Sequence, residues 1–287
     1  MKIQHLIMSI LLAAIWGFNF VVIKFGLKFI PPLLFSFIRF FLVSMPAIFF
    51  IKPPAVPIKL IAVYGITAFA LQFALLFLGI NMGVTAGIAS LLFQVQVFFS
   101  IFLAIIFLKE TINIQQIIGS IIAFFGIILI GMHLSGDVSL IGFVLILTSA
   151  AAWGTGSIMS KKFNTSNFIG LVVWGGLFAW PLLLLMSIIF EGTEQIINSF
   201  YQHNYISMLA IVYIAYIATF LGFYIWNILL SKYPVSTIAP FCLLVPIFGM
   251  VSSILLLDET LDWWKIVATC LIISGLYINS YVAKKPG

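Results

Sequence analysis

The chain has 287 residues, of which 64% are hydrophobic and only 7% carry a charge, with a mean hydropathy of +1.28. A soluble domain carries roughly a quarter charged residues, so this composition excludes a water-facing fold and turns the surface toward lipid. The net charge of +6 then reads as membrane topology and contact with anionic headgroups, not as nucleic-acid binding.

A helix needs about 20 residues to cross a hydrocarbon core of about 30 Å. Apolar runs between polar or proline-bearing breaks predict ten such spans. Lys2 and the apolar run from Leu6 have the look of a signal peptide, but more membrane follows, so this is the first span, Gln4 to Ile23. Pro32 to Ile51, Lys59 to Ile80, Thr85 to Leu108 and Asn113 to Met132 follow. The remaining five are Leu140 to Ser160, Phe168 to Phe190, Tyr205 to Leu230, Val235 to Leu257 and Trp263 to Val282. The longest break, Glu191 to Asn204, leaves no room for an extramembrane domain. Cys242 and Cys270 lie in apolar segments and read as buried free thiols.

The distribution of lysines sets orientation. With the N-terminus in the cytoplasm, Lys2, Lys52, Lys59, Lys109, Lys161, Lys162, Lys232, Lys284 and Lys285 fall inside, against Lys24, Lys28 and Lys265 outside. Both termini are expected in the cytoplasm.

The chain repeats itself. Glu110-Thr111 and Glu259-Thr260 stand at the same offset as Gly126 and Gly275, 259 − 110 = 149 residues. This predicts two five-span units, 1–133 and 138–287. Five is odd, so the second unit enters the membrane upside down. The expected fold is an all-α membrane protein of ten transmembrane helices in two inverted five-helix repeats. That construction belongs to secondary transporters, with the solute site near mid-bilayer between the halves.

Polar groups inside spans are costly, so each is a site candidate by default. Gln94 and Gln96 sit near the middle of the fourth span and Gln72 midway along the third. They line a solute path or bind helix to helix. Two residues apart, Gln94 and Gln96 cannot both face one cavity. Trp16 and Trp153 hold similar deep places in the two units, with Asn19 three residues after Trp16 and Ser157 a turn after Trp153. An indole face can hold an ammonium group; the bland reading is packing against Gly17 and Gly154. Arg39, the only arginine, either snorkels to the interface or binds a carboxylate, and Lys24 invites the same two readings. Pro240 and Pro246 suggest a hinge or site in the ninth span. Tyr216, Thr219 and Tyr224 are weaker candidates in the eighth. Trp263 and Trp264 read as interfacial anchors. Gly119, Ala123 and Gly126 permit close helix packing, within the chain or at a homodimer face.

All seven acids, Glu110, Asp137, Glu191, Glu194, Asp258, Glu259 and Asp262, fall in loops or at span ends, as do His5, His133 and His203. No proton carrier is therefore visible at mid-depth, and Glu110 and Glu259 read as caps of helix ends. No phosphate-binding loop points to ATP. No paired acids or Ser/His constellation builds an intramembrane enzyme or a metal site, so neither catalysis nor a cofactor is expected.

Trp16-Gly17 with Asn19-Phe20, Trp153-Gly154, Glu110-Thr111 and Glu259-Thr260 resemble the EamA family of the drug/metabolite transporter superfamily. Further matches run through residues 16–24, Gln94-Val95-Gln96, residues 257–261 and residues 275–279. These are similar to a subgroup of amino-acid metabolite exporters that handle O-acetylserine and cysteine. The resemblance covers essentially the whole chain and departs at Pro246, whose counterpart is Val97. It implies export of a small amino-acid-like solute across the inner membrane; a broad-specificity drug efflux carrier is the alternative. A channel or structural subunit is the remaining class, separated from a carrier by saturable counter-exchange.

Overall fold

The computed structural model describes residues 2–109, 113–134, 138–163, 165–202, 205–233 and 239–281. Glu110, Thr111, Asp137, His203, Lys284 and Lys285, singled out above, lie outside them. The described residues are helical and contain no strand. Eight helical stretches among them are long and apolar enough to cross a membrane, and two shorter apolar helices accompany them. In lipid every backbone polar group must find its partner inside the chain, and helices do this alone.

In chain order these are α1 (Ile3–Gly26), α2 (Pro32–Ser44) and α3, built from Ile58–Gly65, a π turn Ile66–Leu71 and Gln72–Asn81. Next is α4, built from Ala86–Leu92, a 3-10 turn Phe93–Val95 and Gln96–Leu108, and then α5 (Ile114–Met132). Two long helices follow, α6 (Leu140–Phe163) and α7 (Phe168–Phe190), and then α8 (Gly192–Gln202). Finally come α9 (Tyr205–Val212, a π turn Tyr213–Leu221, Gly222–Lys232), α10 (a 3-10 turn Ala239–Leu243, then Leu244–Leu257) and α11 (Trp263–Tyr281).

Local chemistry sets the ends. Pro32 opens α2 where no N–H is required. Asn113 and Gln116 form a capping box on α5, and the Asn167 side chain accepts from Gly170 N at 2.9 Å on α7. The break expected after Glu191 is instead α8, an amphipathic helix carrying Glu194 in its first turn.

The irregularities recur at the offset of 149. Left-handed residues end α4 at Lys109 (φ 54°) and α10 at Asp258 (φ 53°). The 3-10 turns of α4 and α10 overlap under the same shift, as do the π turns of α3 and α9. Helices α5 and α11 pack reciprocally. A Cβ on Gly126 would lie 2.7 Å from Ile272, and one on Gly275 would press on Gly119 and Ala123. The small-residue stripe thus serves close helix packing within the chain.

Candidate functional site between the matched helices

Trp16 on α1 and Trp153 on α6 converge on one ring. Phe223 of α9 lies 6.1 Å from Trp16 and 6.5 Å from Trp153, centroid to centroid. Phe93, in the 3-10 turn of α4, adjoins Trp153 at 6.4 Å and Phe20 at 6.3 Å, and Trp226 closes on Trp16 at 5.8 Å. Both tryptophans are half-buried, so this aromatic wall keeps some accessible face. Ser157 turns its hydroxyl back to Trp153 O at 3.0 Å, a local bond that leaves it no free donor.

The π turn of α9 explains how Trp16 is held. A wider turn displaces backbone carbonyls from the regular ladder, and Ala218 O there accepts the Trp16 indole N–H at 3.1 Å. The next residue, Thr219, donates to Ile214 O at 2.7 Å and accepts from Arg39 Nε at 3.2 Å. Arg39 therefore does not snorkel. It is 3% exposed and its guanidinium lies over the Phe73 ring, 3.9 Å from the centroid. Two sequence candidates, Trp16 and Arg39, dock on successive residues of one helical turn.

Among the described residues most buried polar groups without a partner lie in the first half of the chain, with Trp180 Nε1 the exception. Asn19 Oδ1, both amide atoms of Gln72, Gln96 Oε1 and Arg39 Nη1 are buried without a hydrogen-bond partner. Gln72 is fully buried, with its backbone carbonyl taken by Ser149 Oγ at 2.8 Å. Gln94 is 4% exposed in the 3-10 turn, while Gln96 starts the following helix and is half-buried.

Other expectations are corrected. Tyr216 is 38% exposed and stacks on Phe220, and no ring contact joins it to the two tryptophans among the described residues. Tyr224 is exposed too. Pro246 stands in the first turn of Leu244–Leu257, where a missing N–H breaks nothing. The break in α10 is the preceding 3-10 turn, Ala239–Leu243, which contains Pro240, the other proline of this span. Trp264 is buried and stacks flat on His133 at 4.6 Å, so only Trp263 is exposed as an anchor would be. Lys24 donates to Ile80 O at 3.2 Å. Both cysteines are free, but Cys270 is exposed.

Two carboxylates cap helices across the chain. Glu259 accepts from Ala86 N (2.7 Å) and Gly87 N (3.1 Å) at the start of α4. Glu191, which sequence reasoning left unassigned, accepts from Leu33 N (2.5 Å) and Leu34 N (3.0 Å) at the start of α2, and from Ser187 Oγ (2.6 Å). Its position directly after an apolar run was the available signal. Burial pushes the Glu191 carboxyl above its ordinary value, against the opposing pull of those donors.

A groove of about 550 Å³ opens between α4, α5 and α6, lined by Val95, Phe98, Phe99 and Phe124 among others; Ser120 is its one polar residue. It faces the surface and suits apolar chains, not polar solutes.

The profile of the EamA-like transporter family matches residues 4–132 and 140–281. The chain belongs to that family. It is 40% identical over 281 residues to a protein of Escherichia coli (strain K12) named "Probable amino-acid metabolite efflux pump", covering 96% of this chain and 94% of that one. A Salmonella typhimurium protein of the same name is 40% identical over 280 residues, with the same coverage. An uncharacterized transporter of Archaeoglobus fulgidus is 28% identical over 274 residues, covering 92% and 94%. A solved crystal structure superposes with a TM-score of 0.67 at 15% identity, over 99% of this chain and 98% of the other, which establishes likeness of fold. This EamA protein is a multi-pass membrane transporter.

Proposed function

We propose that the protein is a secondary carrier that exports small polar amino-acid-like metabolites from the cytoplasm across the inner membrane by alternating access. In this reading ten spans form two inverted five-helix units, 1–133 and 138–287, with both termini cytoplasmic. The observation that carries it is the meeting of Trp16 and Trp153, 153 − 16 = 137 residues apart, on Phe223. Matched residues from two matched units converge on one wall, as a central site between inverted halves requires. An indole face attracts an ammonium group, and the buried amides nearby suit a zwitterion. The names of the E. coli and Salmonella relatives support amino-acid metabolites as the solute, and the subgroup resemblance narrows this to O-acetylserine and cysteine.

Counterflow of labelled cysteine and O-acetylserine in proteoliposomes tests this. Saturable exchange that falls at least tenfold in Trp16→Ala is expected. No exchange of any amino acid by the wild type would refute it. Competition by hydrophobic cations, with none by amino acids, would favour a broad drug and metabolite carrier.

A further inference from the structure

Arg39 is a charge without a counter-ion. A buried arginine in a span is costly, and such residues pair with a carboxylate or with backbone carbonyls. Among the described residues no carboxylate pairs with Arg39, and Nη1 has no acceptor at all. What holds the group is Thr219 at Nε and the Phe73 face at 3.9 Å, with Phe40 at 5.6 Å. These contacts fix the guanidinium plane and leave Nη1 without an acceptor. A planar fork fixed in this way matches a carboxylate in bidentate fashion.

The placement favours a transported ligand over a structural one. Thr219 follows Ala218, whose carbonyl holds the Trp16 indole. The cation and the aromatic wall are therefore mounted on adjacent residues of the same π turn. Asn19, one turn beyond Trp16 on α1, adds a buried Oδ1 acceptor with no donor. An α-amino acid supplies both missing groups: a carboxylate for Arg39 and an ammonium for Asn19 and the indole faces.

We propose that Arg39 binds the carboxylate of the transported solute and makes a free carboxylate a condition of transport; this rests on the exporter reading above. Solutes lacking that group are rejected because the guanidinium would stay buried and unpaired.

Cysteine, cysteamine (its analogue without the carboxylate) and 3-mercaptopropionate (its analogue without the ammonium) separate the groups. In wild-type proteoliposomes, unlabelled cysteine and 3-mercaptopropionate should inhibit labelled cysteine counterflow, and cysteamine should not. Arg39→Gln should raise the half-saturating cysteine concentration about a hundredfold and erase the preference over cysteamine. Arg39→Lys, which keeps the charge but loses the fork, should fall between, at about tenfold. Cysteamine competing as well as cysteine in the wild type would overturn the inference while leaving the exporter reading intact. So would wild-type half-saturation and discrimination in Arg39→Gln. Absence of any amino-acid exchange by the wild type would instead overturn the exporter reading and this inference with it. Should Arg39→Gln fail to fold, the wild-type competition series decides alone.

Discussion

Two helix crossings in this molecule are built from matched residues and differ in tightness. At the α1–α10 crossing, a Cβ on Gly17 would lie 2.5 Å from Val245 O, 2.6 Å from Phe248 Cβ and 2.9 Å from Gly249 N. At the α6–α4 crossing, a Cβ on Gly154 would lie 3.0 Å from Phe99 Cβ and 3.1 Å from Ser100 N. Gly154 is Gly17 shifted by 137, and Phe99 and Ser100 are Phe248 and Gly249 shifted by 149. The same contact is made twice, and the looser copy includes Phe99, which also lines the groove. The two crossings therefore differ in how much room they leave at matched glycines.

The chemistry is more one-sided still. By the same offsets Arg39, Asn19, Gln72, Gln94 and Gln96 correspond to Gly176, Gly156, Leu221, Leu243 and Val245. Backbone irregularities are duplicated, while the unpartnered polar groups of the site sit in the first EamA stretch. The frame recurs; the buried polar side chains do not.

The largest effect separates the two crossings. Gly17→Ala forces its methyl onto backbone and should cost about 2–3 kcal/mol in the melting of the detergent-solubilised protein, whereas Gly154→Ala should cost under about 1 kcal/mol. Equal losses would erase the distinction between them. Next, Glu259→Ala strips the start of α4 of both acceptors and should cost about 1–2 kcal/mol by the same measurement. A neutral result would mean that the cap contributes nothing. The tryptophans sharpen the contrast further. Trp16→Phe loses the bond to Ala218 O and should cost about 1 kcal/mol, leaving Trp153→Phe the milder change.

The smallest effect concerns pH. Burial raises the Glu191 carboxyl in the folded protein, so the folded state takes up its proton more readily than the unfolded chain does. Stability from this site is therefore gained as pH falls through the raised value and lost as pH rises through it. The melting temperature of wild type relative to Glu191→Gln should rise between about pH 7 and about pH 4. A slope of the opposite sign would contradict the assignment.

Much of this was legible from residue order. Composition placed the helices in lipid, and the offset of 149 anticipated recurring breaks because identical turns need similar residues at similar places. Glu259 was readable as a cap since an acid directly after a span has few other uses. The π turns were not readable. Residues 66–71 and 213–221 contain neither proline nor glycine, and only tertiary contacts such as Trp16 to Ala218 O favour the wider turn. Arg39 was ambiguous because depth in a bundle, and the presence of Thr219 and Phe73 beside it, come from packing. Pro246 misled for a related reason: a proline marks a helix start or a kink, and the preceding 3-10 turn decides which. Trp264 was misplaced because its partner His133 arrives from another helix.

Alternating access between two inverted halves requires the two EamA stretches to cross the membrane in opposite senses. Lys109 and Asp258, the left-handed residues that end α4 and α10, hold the same place in each. Single cysteines, Lys109→Cys and Asp258→Cys, in a Cys242→Ser, Cys270→Ser background can be probed with a membrane-impermeant maleimide. Intact cells should label only the cysteine replacing Asp258, and inverted vesicles only the one replacing Lys109. Labelling of both from one side would contradict the inverted arrangement.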